Sequence, residues 1–185
     1  GRGRLSNITY PDGKSLSFSW NSRGKLTQLI ATENETETNI IFSYDEMNRI
    51  SGYNKTITEL GSPPQTEEWC YFYYSLTGIE KATRKQNQIQ NLTIDYSTDT
   101  KGRILSADYT ETVGFNGNLT FVYDNLGNVC ALTNNQGNIV TAYGYNVMNG
   151  VVESEFNPYS IENPFTFGGA VEIGNNDANV SPGGG

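Results

Sequence analysis

Six times along this 185-residue chain an aromatic residue closes a short run of alternating apolar and polar residues, and Gly or Asn follows about four residues later. The anchors are Trp20, Tyr44, Tyr74, Tyr96, Tyr123 and Tyr145, recurring every 22–30 residues. A period of that size marks an array of supersecondary units, each burying its apolar face against its neighbours. An array built by stacking presents or encloses something and seldom carries out chemistry.

The copy from Leu119 to Val129 shows the physics. Leu119, Phe121 and Tyr123 alternate with smaller or polar residues, the period-2 signature of a strand with one buried face. Asp124 can accept hydrogen bonds from amides just ahead and open a turn, and Gly127 supplies a positive φ for closure. Val129 starts the return strand, so the unit reads as a β-hairpin. The same parity runs through Leu16, Phe18 and Trp20; Ile40, Phe42 and Tyr44; Cys70, Phe72 and Tyr74; Leu92, Ile94 and Tyr96; Thr141, Tyr143 and Tyr145. A slip by one residue would turn each set outward, so the register is strongly specified. Gly24, Gly78, Gly102 and Gly127 are the expected turn glycines. Asn48 and Asn149 stand in their place elsewhere, Asn being the side chain that best tolerates the left-handed region. Asp45 opens its turn as Asp124 does, and the copy at Tyr96 reads as having a longer turn.

Tyr44-Asp45-Glu46-Met47-Asn48-Arg49-Ile50 and Tyr123-Asp124-Asn125-Leu126-Gly127-Asn128-Val129 resemble the Y-D-x-x-G-R-L/I/V repeat of the RHS/YD-repeat family of bacterial polymorphic toxins, toxin-complex proteins and teneurins. Ile8 to Lys14 is similar to the I-T-Y-P-D-G that joins repeats. Leu126–Val151 is similar to the stretch before the end of an RHS core, and Glu162–Gly169 to its E-N-P-F-R-Y-A-G element. The resemblance covers roughly residues 3–169. It implies strands spiralling into a hollow shell that encloses a C-terminal toxin polypeptide or, in teneurins, an extracellular scaffold, and so a secreted or cell-surface setting. Gly3-Arg4-Leu5 looks like the tail of a repeat whose head is missing. With no Asp-Pro in the chain, the family's aspartate-based self-cleavage site has no counterpart. The segment is expected to be the late part of a core, truncated at both ends.

Chemistry is narrowly bounded. The absence of histidine excludes Ser-His-Asp, Cys-His and His-based metal sites. The Asp turns lack the ligand spacing of a calcium loop, and Gly1-Arg-Gly-Arg4 precedes no helix pattern, so it is no phosphate loop. No catalytic, cofactor or metal residue is assigned. A net charge of −8 with 12 scattered basic residues disfavours nucleic acid. The aromatic run from Trp69 to Tyr74 is far short of the ~20 apolar residues of a membrane span.

Polar connectors are expected at residues 31–38, 55–68 with Pro63-Pro64, 84–91 and 110–118, and a tight turn at 134–138. Candidate glycosylation acceptors are Asn7, Asn34, Asn54, Asn91 and Asn118, with a further sequon at Asn179. Cys70 and Cys130 are either buried free thiols or a bridge; sequence leaves both open. The expectation is therefore an all-β array of antiparallel hairpins in a curled or spiralling sheet: residues 1–155 the array, 156–174 a core-end element, 175–185 an Asn/Gly-rich tail. It is a non-catalytic sector of a shell whose partners are flanking repeats, other copies of the chain or an enclosed toxin polypeptide. The alternatives are a fibre subunit growing by strand addition and an adhesin binding surface glycans through exposed aromatics.

Overall fold

Alternating side chains with β-branched and aromatic residues at every second position specify strands. The computed structural model describes residues 3–74, 78–145, 152–158 and 160–161, with the side chains of Tyr74 and of 152–155 outside that description. Asn149, the Glu162–Gly169 element, the 175–185 tail and Asn179 lie outside the described residues. Among the described residues the regular structure is all β. The strands are β1 (Asn7–Thr9), β2 (Ser15–Trp20), β3 (Leu26–Glu33), β4 (Thr36–Tyr44), β5 (Ile50–Glu59), β6 (Gln65–Tyr74), β7 (Gly78–Gln86), β8 (Ile89–Thr98), β9 (Ile104–Glu111), β10 (Gly117–Tyr123), β11 (Val129–Thr133), β12 (Ile139–Tyr145) and β13 (Val152–Phe156). They follow one another in sheet order as in sequence, an array of β-hairpins.

The chain forms two compact units, one of Gly1–Leu76 with Lys81–Thr93, the other of Thr77–Glu80 with Ile94–Gly185. In the first, rows of facing residues run across the strands: Leu29 opposite Ile40, and Phe42 opposite Tyr53 opposite Trp69. All five are buried. In the second, Ile94, Leu119, Leu132 and Thr141 are fully enclosed, with Phe121 set opposite Leu132. Full burial of a side chain of this size contributes about 1.5–3 kcal/mol.

The strands are longer than their polar composition suggests. The expected connectors shrink to Asn34–Glu35, Leu60–Pro64, Asn87–Gln88 and 112–116, because Thr, Asn and charged residues in the rest pair as strands with one wet face. The Pro-containing connector is thus a short turn rather than a long projection. Backbone bonds tie these turns to their neighbours: the Leu60 amide donates to the Glu35 carbonyl and the Asn87 amide to that of Thr66.

A second difference is one of register. Tyr53 faces the core beside Phe42, and the residue opposite it on β6 is Trp69. Trp69 and Tyr71 therefore take the buried face, each 4% exposed. Cys70 and Phe72, expected to point inward, occupy the other parity, and Phe72 is 48% exposed.

The return strands β3, β5 and β11 each carry a bulge beside the anchor. Leu26 and Gln28 face Trp20 and Ser19, leaving Thr27 with no residue opposite. Ser51 and Cys130 are left the same way in β5 and β11. The Thr27 hydroxyl donates to the Ser19 carbonyl at 3.2 Å, and the Cys130 thiol reaches the equivalent Val122 carbonyl at 3.4 Å.

Candidate functional site

Local chemistry fixes the turns. A carboxylate or amide oxygen one carbon beyond Cβ reaches the amides two and four residues ahead. Asp45 Oδ1 accepts from Met47 and Arg49 at 3.0 and 2.8 Å, Asp99 from Lys101 and Arg103 at 2.9 Å each, and Asp124 from Leu126 and Asn128 at 2.8 Å each. Neutral Asn21 and Asn134 act likewise, at 2.9–3.0 Å. In all five the fourth residue's amide donates to the first carbonyl and the first amide to the fifth carbonyl. The fourth residue has positive φ, +84° at Gly24 and +62° at Asn48. This is a three-residue loop, a type I turn followed by a left-handed residue. Asn134–Asn138 is thus the same turn on the opposite edge of the sheet. The turn at Asp99 is no longer than the rest.

The second carboxylate oxygen of each Asp holds the fifth residue. Asp45 Oδ2 accepts from Arg49 Nε at 2.6 Å and Asp124 Oδ2 from Asn128 Nδ2 at 2.9 Å, while Asp99 Oδ2 and Arg103 Nε form an ion pair at 3.3 Å. The cation at the fifth position lies over an aromatic ring of the following repeat: Lys25 over Tyr44 at 6.0 Å, Arg49 over Tyr73 at 4.1 Å, Arg103 over Tyr123 at 5.3 Å. Each of those rings hydrogen-bonds the carbonyl just past the cation. Tyr44 donates to Leu26, Tyr73 to Ile50 and Tyr123 to Ile104, all at 2.7 Å. Tyr145 donates to Val129 at 2.6 Å, and Trp20 Nε1 to Leu5 at 2.8 Å. The motif is therefore a clasp: the turn of one repeat grips the anchor of the next.

Electrostatics follow. At Asp45 burial opposes ionisation, but the Arg49 amide and guanidinium outweigh it and hold the carboxyl below its usual range. The Arg103 amide lowers Asp99, and the Asn128 amide and side chain lower Asp124. A depressed folded pKa gives stability that is present above the unfolded value of 3.8 and lost as pH falls through the folded one. Acid should therefore release the turns at Asp45, Asp99 and Asp124 and spare those at Asn21 and Asn134. An NMR titration should show the Arg49 and Asn128 amides moving with midpoints below 3.8, while those of Lys25 and Asn138 stay still.

Burial pushes the Tyr123 phenol up to about 12, against a small pull downward from Arg103. Here the folded pKa is raised, so the contribution is complete below pH 10 and lost as pH rises from 10 to about 12. In alkaline titration Tyr123→Phe should remove one late-ionising phenol. The same change should lower stability by about 1 kcal/mol through the lost bond to Ile104.

The clasp re-assigns two anchors. Tyr73, not Tyr74, bonds Ile50. Tyr96 is 8% exposed and edge-on to Phe121 at 6.5 Å, a core residue two positions before the strand end. The residue preceding the Asp99 turn is Thr98. Gly78 opens β7 rather than closing a turn by positive φ, and takes the place that Arg49 and Arg103 hold elsewhere. A Cβ on Gly78 would lie 3.0 Å from Thr98 Oγ1. Gly24, Asn48, Gly102 and Gly127 occupy the fourth turn position.

The polar groups elsewhere are already committed. Arg84, expected in a connector, is 4% exposed, with Cζ 5.8 Å from the Trp69 ring and Nε donating to Asn91 Oδ1 at 3.2 Å. A groove of about 220 Å³ is lined by Lys55, Gln65, Glu67 and Asn87, among others, and Glu67 accepts from the Tyr53 hydroxyl at 3.0 Å. Cys70 and Cys130 are free thiols, and burial, then Glu68, raises Cys70. Among the described residues no three His, Cys, Asp or Glu side chains gather to hold a metal ion, and no helix is long and apolar enough to cross a membrane. Asn7, Asn34 and Asn54 are exposed. The Asn91 amide donates to Gln86 and that of Asn118 to Asp108.

Residues 1–36, which hold the Trp20–Leu5 bond and the whole Asn21 turn, match the family described as RHS Repeat. No curated protein matches the chain.

Proposed function

From the premise that this chain is an RHS/YD-repeat protein, a structural repeat protein, we propose that it is a non-catalytic sector of a secreted or surface-displayed shell that encloses or displays a polypeptide such as a toxin. The observation that carries this reading is the clasp. The recurring chemistry of the motif, turn oxygen to backbone amide and anchor ring to carbonyl, with a cation over the ring at three joints, is spent on the adjoining repeat. A wall is the product of such a design, because each repeat is stabilised chiefly by its nearest neighbours. Isolation of the enclosed chain is then the mechanism, and flanking repeats or other copies are the first partners.

Electron microscopy of the natural protein that carries this segment tests the reading. Hollow closed particles are expected. Filaments repeating at one 185-residue unit would replace it with strand addition at sheet edges. Solid particles that bind a glycan array, with binding lost in Phe72→Ala on the exposed face, would favour the adhesin.

A further inference from the structure

Among the described residues, one joint lacks the carboxylate, the cation and the ring of the clasp. In the motif that precedes β7 in sequence, the position of Asp45 is held by Tyr74, that of Arg49 by Gly78, and the next anchor position by Thr98. Carboxylate, cation and ring are absent together. In place of a ring under a guanidinium, the second unit has a bare glycine against a threonine side chain. The next joint of the same unit keeps all three parts, Asp99, Arg103 and Tyr123, with Tyr123 closed on Ile104.

We propose that the turn-side ends of β7 and β8, at Gly78 and Thr98, form a yielding seam of the second unit, where its sheet opens locally before it unfolds. This goes beyond the role of a wall: a wall with one unclasped joint has a place to part while its other repeats hold. The opposite ends of the same strands stay closed. The β7–β8 turn at Asn87 is stapled to Thr66 by two bonds, the amide of Asn87 to the Thr66 carbonyl at 2.8 Å and the Thr66 amide to Asn87 Oδ1 at 3.0 Å.

Hydrogen exchange on the full chain tests this. Local opening is read as exchange faster than that of neighbouring strands and insensitive to mild denaturant. Peptides covering 79–82 and 95–98 should exchange at least about 10-fold faster than those covering 104–107 and 120–123. Thr98→Tyr places a phenol where Tyr73 and Tyr123 stand, with the Ile79 carbonyl in the place of Ile50 and Ile104 and no side chain on Gly78 in its way. It should slow the seam peptides and leave 120–123 unchanged. Equal protection of the two sets in the unaltered protein overturns the proposal whatever the variant does. A variant that slows both sets alike, or neither, overturns it as well.

Discussion

Gly52→Ala is expected to be among the most damaging single substitutions in the first unit, lowering stability by about 2–6 kcal/mol. Gly52 lies in β5 opposite Cys70, buried, one residue past the bulge at Ser51. A Cβ there would overlap the Trp69 carbonyl oxygen and lie 3.3 Å from the Cys70 Cα, both of them backbone. Backbone cannot rotate away as a side chain can, so β5 and β6 would have to part. Overpacking of this kind costs about 1–3 kcal/mol, and the strain left in the backbone adds about 1–3 kcal/mol. The effect should spread, because Tyr53 and Trp69 are paired next to it and carry the core row from Phe42. Gly127→Ala is the comparison. It has the same added methyl at φ +88° but nothing within 4 Å, so only the left-handed penalty of about 1–2 kcal/mol applies. Thermal melts of the two variants should be separated by several degrees, roughly 2–4 °C for each kcal/mol in a chain of this size. Equal melting points would mean that the approach of β5 to β6 is looser than the geometry here.

Much of this was legible in the sequence, and what was missed has a pattern. Turns are local: Asp45 reaches residues two and four ahead, so Y-D-x-x-G spells its own geometry, and the turns at Asp45 and Asp124 could be read from five residues. The clasp is not local. Tyr44 and Leu26 are 18 residues apart, Tyr73 and Ile50 23. The residues after the turn glycines counted only among 12 scattered basic residues. A signal was present even so: Lys25, Arg49 and Arg103 recur at one position in three of the motifs, and a free surface charge has no reason to keep its place. Arg84 failed for another reason. Its hydrophilic neighbours suggested a loop, whereas the Trp69 ring and the Asn91 amide make a buried guanidinium tolerable.

The register of β6 is where alternation itself gave no answer. From Trp69 to Tyr74 both parities are aromatic or sulfur-bearing, so period 2 selects neither face. Long-range partners decide: Tyr53 across from Trp69 at one end, Arg49 and the Ile50 carbonyl around Tyr73 at the other. Tyr73→Ala therefore carries a sharp expectation. It removes a ring 4.1 Å from the Arg49 guanidinium and a hydroxyl bonded to Ile50. Truncating a buried aromatic costs about 3–5 kcal/mol, and a half-buried one less, while the cation–ring contact is worth about 0.5–1 kcal/mol and the hydroxyl bond about 1 kcal/mol. A loss of about 2–4 kcal/mol follows, with Tyr73→Phe retaining all but about 1 kcal/mol of it. Phe72→Ala, one residue away and 48% exposed, should stay within about 0.5 kcal/mol of the parent. Denaturant titrations of the three variants give the order directly. If Phe72→Ala were the costly change and Tyr73→Ala the mild one, β6 would be turned over. The ring under Arg49 would then not be Tyr73, and the clasp between those two repeats would have to be rebuilt from Tyr74.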